Sequence, residues 1–510
     1  MTRFYEHGLQ RLNGMWAGNG FAGDEFDDPD HLYAKDLNVL GKGSLFELLC
    51  IARTAAGRKR LADYLLETPT LGEAIERQNA VRELQSRIDL REETTLLGKF
   101  EFSEVAVESF EDWLSSPVAP TNQYLRLIAA LTSSLTAVIV LAGVVGLLSL
   151  VQVVIWISPF VLFHSIVGFI FKRRVNQMTD MLRGVWMDTR VLREGLQLLE
   201  VQEFRSARLR EILDLIHNSS KSVRRLEQLV GGFYERNKEW FYFPSMLLVL
   251  GTQLYMAIED WRARNGTALR SWLTAWVEFE ALNSLANYAW ENPSCTYPQL
   301  VSGKACFEAQ KLGNPLIDNT LCVPNDIELN SKSRFYLVSG SNMSGKSTLL
   351  RTIGLNTVLA LAGAPVRAQV LRLSQLSICA SLSVVDSLMN GKSRFLAEVE
   401  RLRHTIELAG RNGHVLFLVD EILGGTNSRD RRKASEAVIR ALVDHRAIGA
   451  LSTHDMALTE IAEIEGLGGV NVHMGSRNES DPMDFDYLLK PGATKESNAL
   501  AIARLAGVPV

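Results

Sequence analysis

The longest apolar stretch of the chain begins about a quarter of the way along it. Residues 127–171 contain no Asp, Glu, Lys or Arg. A bilayer core about 30 Å thick takes about 20 helical residues, so the run is too long for one span and right for two. The pattern predicts a transmembrane helical hairpin, 127–148 and 153–171, with a short turn around Ser149 to Gln152. Gly143 and Pro159 are tolerable inside membrane helices. Arg126 flanks one end, and Lys172, Arg173 and Arg174 flank the other. Basic flanks favour the cytoplasmic face, so both ends are expected there, with Trp156 near the far interface. The competing reading is a buried helical hairpin in a soluble core.

Elsewhere the periodicity is that of a water-soluble protein. Apolar spacing at Leu45, Leu48, Leu49, Leu61 and Leu65 predicts helices over residues 44–97, with a break at Pro69 and a helix cap at or near Thr70. Residues 175–235 read as long helices rich in Leu, Arg and Glu. From Ser331 onward short apolar strands alternate with helices, the pattern of a parallel α/β sheet. The expected organisation is a polar tail (1–30), a helical segment (31–125), the hairpin (126–172), a second helical segment (173–295) and an α/β domain (296–510).

Candidate chemistry concentrates in that last domain. Gly340, Ser341, Asn342, Met343, Ser344, Gly345, Lys346 and Ser347 spell G-x-x-x-x-G-K-S, followed by Thr348. An apolar strand, 335–338, precedes the motif and a helix, 348–361, is predicted after it. In that context the glycines let backbone N–H groups turn onto phosphates. Lys346 would reach the β- and γ-phosphates of ATP, and the Ser347 hydroxyl would ligate Mg²⁺. A second buried strand, 415–419, delivers Asp420 and Glu421 at its end. Asp420 is expected to hold Mg²⁺ and Glu421 to orient or deprotonate the attacking water. A third run, 447–451, ends in Ser452, Thr453 and His454, which places His454 where it could sense the γ-phosphate or position water. Between these motifs, Gly391, Lys392 and Ser393 precede a predicted helix and form a second anion-ready helix start.

An ATP site constrains the apolar stretch at 241–258. The stretch has the length of one span but holds Pro244, Gly251, Thr252 and Gln253. A third crossing would carry Lys346 away from cytoplasmic ATP, so the stretch is expected to be a core helix or one lying at the interface.

The net charge of −4 gives no global basic signature for nucleic acid. Basic residues do outnumber acidic ones over residues 172–238. That excess fits a solvated helix face with a positive flank, or a cationic surface for DNA or anionic lipid. Five scattered cysteines without C-x-x-C spacing argue for reduced thiols in a cytosolic compartment, against a zinc site or disulfide framework. Residues 1–30 are polar and acidic, and no cleavable signal peptide is expected.

These motifs together resemble the MutS family, the ATPases of DNA mismatch repair, in a shortened, membrane-inserted form. The loop 340–348 is similar to the family's phosphate loop, in which Asn342-Met343 is distinctive; Ser341 stands where the family usually has Pro. The segment from Asp386 to Glu398 resembles its signature segment. Asp420-Glu421 with residues 424–428, and then Ser452-Thr453-His454, resemble its Walker B region and histidine switch. Gly43-Ser44-Leu45-Phe46 and residues 280–286 resemble the two ends of its helical core. The resemblance implies an ABC-like P-loop NTPase domain behind an all-α core. It also implies a homodimer with composite sites, in which Ser393 of one subunit approaches the γ-phosphate held by Lys346 of the other. ATP binding would close the dimer and hydrolysis would reopen it. Cys322 stands where the family commonly offers an aromatic to the adenine.

Two functions stay open at this point. One is an ATP-dependent, mismatch-repair-like DNA-binding protein anchored in the cell inner membrane, multi-pass, with both termini and the ATPase domain cytoplasmic. The other is a membrane-bound ATP-driven switch acting on a protein or lipid partner without DNA. An ABC transporter is disfavoured, because L-S-G-G-Q is absent and two spans are too few for a translocation path.

Overall fold

The computed structural model describes residues 2–97, 113–117, 123–182, 185–236, 239–341, 343–382, 394–424, 427–478 and 481–494. The apolar runs of the C-terminal half form a six-stranded sheet. Its strands are β4 (Phe335–Ser339), β6 (Ser377–Ser381), β7 (Val415–Val419), β8 (Ile448–Thr453), β9 (Gly469–His473) and β12 (Lys490–Pro491), in the order β12-β9-β4-β8-β7-β6. All pairings are parallel except that of β12 with β9. Every residue of β4, β7 and β8 is buried, as expected for parallel strands covered on both faces. Gly449 in β8 is required by close packing, since a Cβ there would lie 2.1 Å from the Phe417 carbonyl oxygen.

A wholly parallel domain is not what forms. Strands β1 (Gln299–Val301), β2 (Phe307–Leu312), β3 (Asn325–Leu329) and β5 (Val370–Ser374) make a second sheet, ordered β1-β5-β2-β3. In it β2 pairs antiparallel with both β3 and β5. Half-polar alternation (buried Ile327 and Leu329 around exposed Glu328) marks β3 as one-sided, which suits an antiparallel layer. Strands β10 (Ser476–Asn478) and β11 (Asp481–Phe485) add an antiparallel pair.

The helical part is threaded by one helix of 42 residues, Leu250–Glu291, about 63 Å long at 1.5 Å per residue. Its far end is fixed to the N-terminal helices by buried polar side chains. Glu278 accepts from Arg60 at 2.7 Å, from Arg208 at 2.8 Å and from the Tyr64 hydroxyl. Glu280 accepts from Arg53 N at 3.1 Å, from Thr54 N at 3.3 Å and from the Thr54 hydroxyl. Glu291 takes both nitrogens of Arg11, at 2.8 and 2.7 Å, which docks helix Thr2–Leu12. Thr70 caps helix Leu71–Gln85 with a reciprocal Glu73 contact, as its position predicts. One continuous core joins these helices to the six-stranded sheet. Residues near the N-terminus also finish the sheet's edge: Ala380 N of β6 donates to Leu32 O at 2.9 Å, and Leu382 N to Asp36 at 2.8 Å.

The charge-free run forms two helices, Gln123–Val144 and Leu150–Met181, both long and apolar enough to cross a membrane. Only 22% and 11% of their most apolar stretches are buried, so most of their apolar surface faces outward. The turn falls earlier than expected, at residues 145–149, where Gly146 takes φ 81° and Ser149 caps the second helix through a reciprocal Gln152 contact. The stretch 241–258 is not a single helix. Helix Glu239–Leu247 ends, Val249 takes φ 47°, and the long helix begins at Leu250.

Candidate functional site

The glycine-rich loop lies between β4 and helix Lys346–Ala362. Gly340 takes φ 145°, and a Cβ there would sit 2.2 Å from the Met474 carbonyl oxygen. Gly345 takes φ 98° at the helix N-cap. Both backbone conformations belong to glycine, so the motif's spacing is set by the turn itself. Met343 shares the left-handed region at φ 71°. Ser344 Oγ donates to Ser341 O at 2.9 Å and is buried inside the loop. Lys346 Nζ donates to the carbonyls of Gly340 (2.8 Å) and Ser341 (2.7 Å), which holds the ammonium across the loop mouth. Burial lowers the Lys346 pKa, and the charges of Asp420 and Glu421 oppose that fall.

The acidic strand end stands directly beside the loop. Asp420 receives hydrogen bonds from Ser347 Oγ of the loop helix and from Ser452 Oγ at the end of β8. Glu421 turns away from the strand with φ 53°. Its backbone N donates to Ser452 O and Oγ, both at 3.2 Å. Its carboxylate lies 3.1 Å from His454 Nδ1, with both side chains partly open to solvent. Sequence order therefore translates into space: Lys346, Ser347, Asp420, Glu421 and His454 form one contiguous cluster. Thr348 follows in the loop helix, where Thr352 Oγ1 donates to its carbonyl at 2.7 Å. Asn342 and Ser393 lie outside the described residues, as do Gly425 and Thr426.

Two further residues belong to the site. Glu398, in helix Arg394–Asn412, is buried and accepts Leu423 N at 2.6 Å, which ties that helix to the loop after Glu421. Tyr487, in the stretch 485–492 that resembles the end of the family's ATPase domain, is an aromatic to which the motifs assign no role. A Cβ on Gly345 would lie 3.0 Å from Tyr487 Cδ1, yet the residue is 45% exposed. Asn325 holds its strand, donating to Tyr487 O at 3.0 Å and accepting from Leu489 N at 2.7 Å. Cys322, by contrast, sits against Gly313. An exposed aromatic a few residues before the chain's last Pro-Gly was the available sequence signal.

Ser347 and Asp420 present hard oxygen donors side by side, a set that fits Mg²⁺, which takes one or two protein oxygens and completes its shell from phosphate and water. A glycine-rich loop opening a helix, next to a strand ending in two carboxylates, is the class of α/β domain built to meet an anion at a helix N-terminus. Residues 336–510 match the MutS domain V family. The chain is also 31% identical over 264 residues to two proteins named DNA mismatch repair protein MutS 1, from two strains of Halobacterium salinarum. The aligned part is 51% of this chain and 30% of each relative, so the chain spans about a third of the length of the relatives it matches. The C-terminal part of the chain, residues 336–510, is therefore a MutS domain V, and the similarity to the MutS relatives extends over about half of the chain.

Proposed function

We propose that this is a membrane-anchored, MutS-type P-loop ATPase in which Mg·ATP closes a homodimer and hydrolysis reopens it. The observation that carries the reading is the Ser347–Asp420 contact, which joins the loop helix to the acidic strand end. Residues 340–348 bind the phosphates, with the Lys346 ammonium moving from the loop carbonyls onto the β- and γ-oxygens. Ser347 and Asp420 would hold Mg²⁺, which would neutralise phosphate charge when bound. Glu421 orients and deprotonates the attacking water, and His454 steers the Glu421 carboxylate. Tyr487 offers its ring to the base in place of an aromatic at position 322. Ser393 acts on the partner's nucleotide; Phe395 and Val399, exposed on the helix that follows it, fit a dimer surface. The hairpin crosses the cell inner membrane twice, leaving both termini and the ATPase domain cytoplasmic, and DNA is the macromolecular ligand.

ATPase activity of the detergent-solubilised protein, with and without duplex and branched DNA, tests this. DNA binding should weaken steeply with salt as counterions are displaced. A purified dimer that hydrolyses ATP yet ignores every DNA leaves the second reading, a switch acting on a membrane protein or lipid. The exposed hairpin helices favour that alternative.

A further inference from the structure

The break between the helices Glu239–Leu247 and Leu250–Glu291 takes no part in the nucleotide chemistry, yet its polar groups are unusually well provided for. Val249 is β-branched and held at φ 47°, a conformation such residues avoid. The carbonyls freed by the break are met by side chains of the hairpin. Leu247 O accepts from His164 Nδ1 at 2.8 Å, and Leu248 O accepts from Ser133 Oγ at 2.8 Å. Gln253 Nε2 bridges Leu248 O (2.9 Å) and Ser133 Oγ (2.8 Å). Thr132 Oγ1 lies 2.9 Å from the other ring nitrogen of His164. Irregular backbone persists at membrane depth only when protein satisfies it in this way.

The contacts also give the depth. His164 is eight residues from Lys172 and Ser133 seven from Arg126, which puts the break about 10–12 Å inside the basic end of the hairpin. Half a hydrocarbon core is about 15 Å, so the break lies within one leaflet. Both limbs return to the basic end. Arg236 donates to Thr179 at 3.1 Å, and a Cβ on Gly251 would lie 1.9 Å from Arg236 Nη1, so the entering and leaving chains are side by side. Asp260 then pairs with Arg126 at 3.2 Å. The inward face is Ser245 and Val249, both buried, with Val249 packed on Ala129 and Val167. The outward face carries Met246, 69% exposed, and no charged residue occurs from 241 to 258.

We propose that residues 239–251 form a re-entrant wedge that dips into the cytoplasmic leaflet and seats Met246 against lipid acyl chains. This rests on the membrane reading of the hairpin given above. Acyl chains are the occupant because Met246, beside the break, shares its depth and apolar character with Ile166, exposed on the adjoining hairpin helix, and Phe169, exposed on that helix nearer the basic end, continues the apolar surface. The wedge does not cross, so the ATPase domain stays on the side of the hairpin's basic flanks. It makes the start of the 42-residue helix a foot planted in the bilayer.

The test uses the full chain in phosphatidylcholine–phosphatidylglycerol proteoliposomes, with the photocrosslinker p-benzoylphenylalanine at Met246 and, separately, at Phe169 as the hairpin reference. Lipid adducts at both positions are expected. Lipid at Phe169 with a protein adduct at Met246 means that a second copy covers the face, and overturns the wedge. Lipid at Phe169 with no adduct at Met246 means that water does, and also overturns it. No lipid at either position removes the membrane reading itself. Adding His164→Leu should cut the Met246 lipid adduct about fivefold, the loss of roughly one hydrogen bond, and leave Phe169 unchanged. An unaltered Met246 yield would remove the role given to the polar cluster.

Discussion

Two polar clusters built from similar residues behave oppositely. At the acidic strand end, hydroxyls of Ser347 and Ser452 and the ring of His454 are spent on carboxylates, and Glu421 keeps part of its surface open. In the hairpin, Ser133, His164 and Gln253 are spent on backbone carbonyls, and Ser133 and His164 are buried. The first arrangement keeps charge available to a ligand, whereas the second uses its polar groups to satisfy the backbone. Residue type alone does not make a reactive site; what the hydrogen bonds are used for does. Variants in the first cluster should therefore alter turnover with little change in stability, and variants in buried structural clusters should do the reverse.

The largest effect is expected from Glu421→Gln. Removing a general base costs about 10²- to 10⁴-fold in rate. The backbone of Glu421 is pinned to Ser452, so the fold and nucleotide binding should survive. Single-turnover hydrolysis and nucleotide binding, measured on the same sample, check both halves; normal turnover would remove Glu421 from the chemistry. Lys346→Ala should come next. It deletes the ammonium beside the loop carbonyls, and loss of a charge-assisted phosphate contact of about 3 kcal/mol weakens ATP binding roughly 10²-fold. Equilibrium binding of a fluorescent ATP analogue reads this directly, and an unchanged affinity would break the phosphate assignment.

The third prediction crosses to the structural side. Glu280 is fully buried on the long helix, and burial pushes its carboxyl up to about 7, against the hydrogen bonds from Thr54 and Arg53. The folded value lies above the ordinary 4.5. Between those limits the folded chain holds a proton that the unfolded chain has released. Stability is therefore greatest below pH 4.5 as far as this group is concerned, and falls as pH rises to 7, by on the order of 3 kcal/mol. Thermal melts from pH 5 to 8 should show a declining Tm that Glu280→Gln flattens, while ATP affinity is unaffected. An identical pH profile in both proteins would overturn the assignment.

The geometry of the candidate site was legible because its parts are local. A loop that needs φ 145° at Gly340 and φ 98° at Gly345 announces itself in eight residues, and a buried strand ending in Asp420-Glu421 is as plain. The hairpin was legible for the same reason, although its turn moved because the Ser149 cap outweighed the apolar count. What stayed hidden depends on distant pairings. The second sheet requires β5 to insert between β1 and β2 across some 60 residues of intervening chain. Tyr487 is brought to Gly345 by contacts distant in sequence, among them the Asn325 clamp and the pairing of β12 with β9. The break at Val249 has no Gly or Pro at the residue that turns; it is held by Ser133 and His164, more than 80 residues away.

The smallest predicted effect separates steering from chemistry. His454 contacts Glu421 at 3.1 Å but is itself half exposed, and the Glu421 backbone is held independently by Ser452. Removing the imidazole therefore frees a carboxylate rotor without displacing the residue. One hydrogen bond to a partly solvated charge is worth about 1 kcal/mol, so His454→Ala should slow hydrolysis about fivefold to tenfold and leave ATP affinity unchanged. His454→Gln, which can still donate to the carboxylate, should recover part of that loss. If His454→Ala instead fell as far as Glu421→Gln, with no rescue by Gln, the histidine would be acting on water or phosphate itself. The two residues would then have to be treated as one catalytic pair, measured by a double-mutant cycle in the rate of the chemical step.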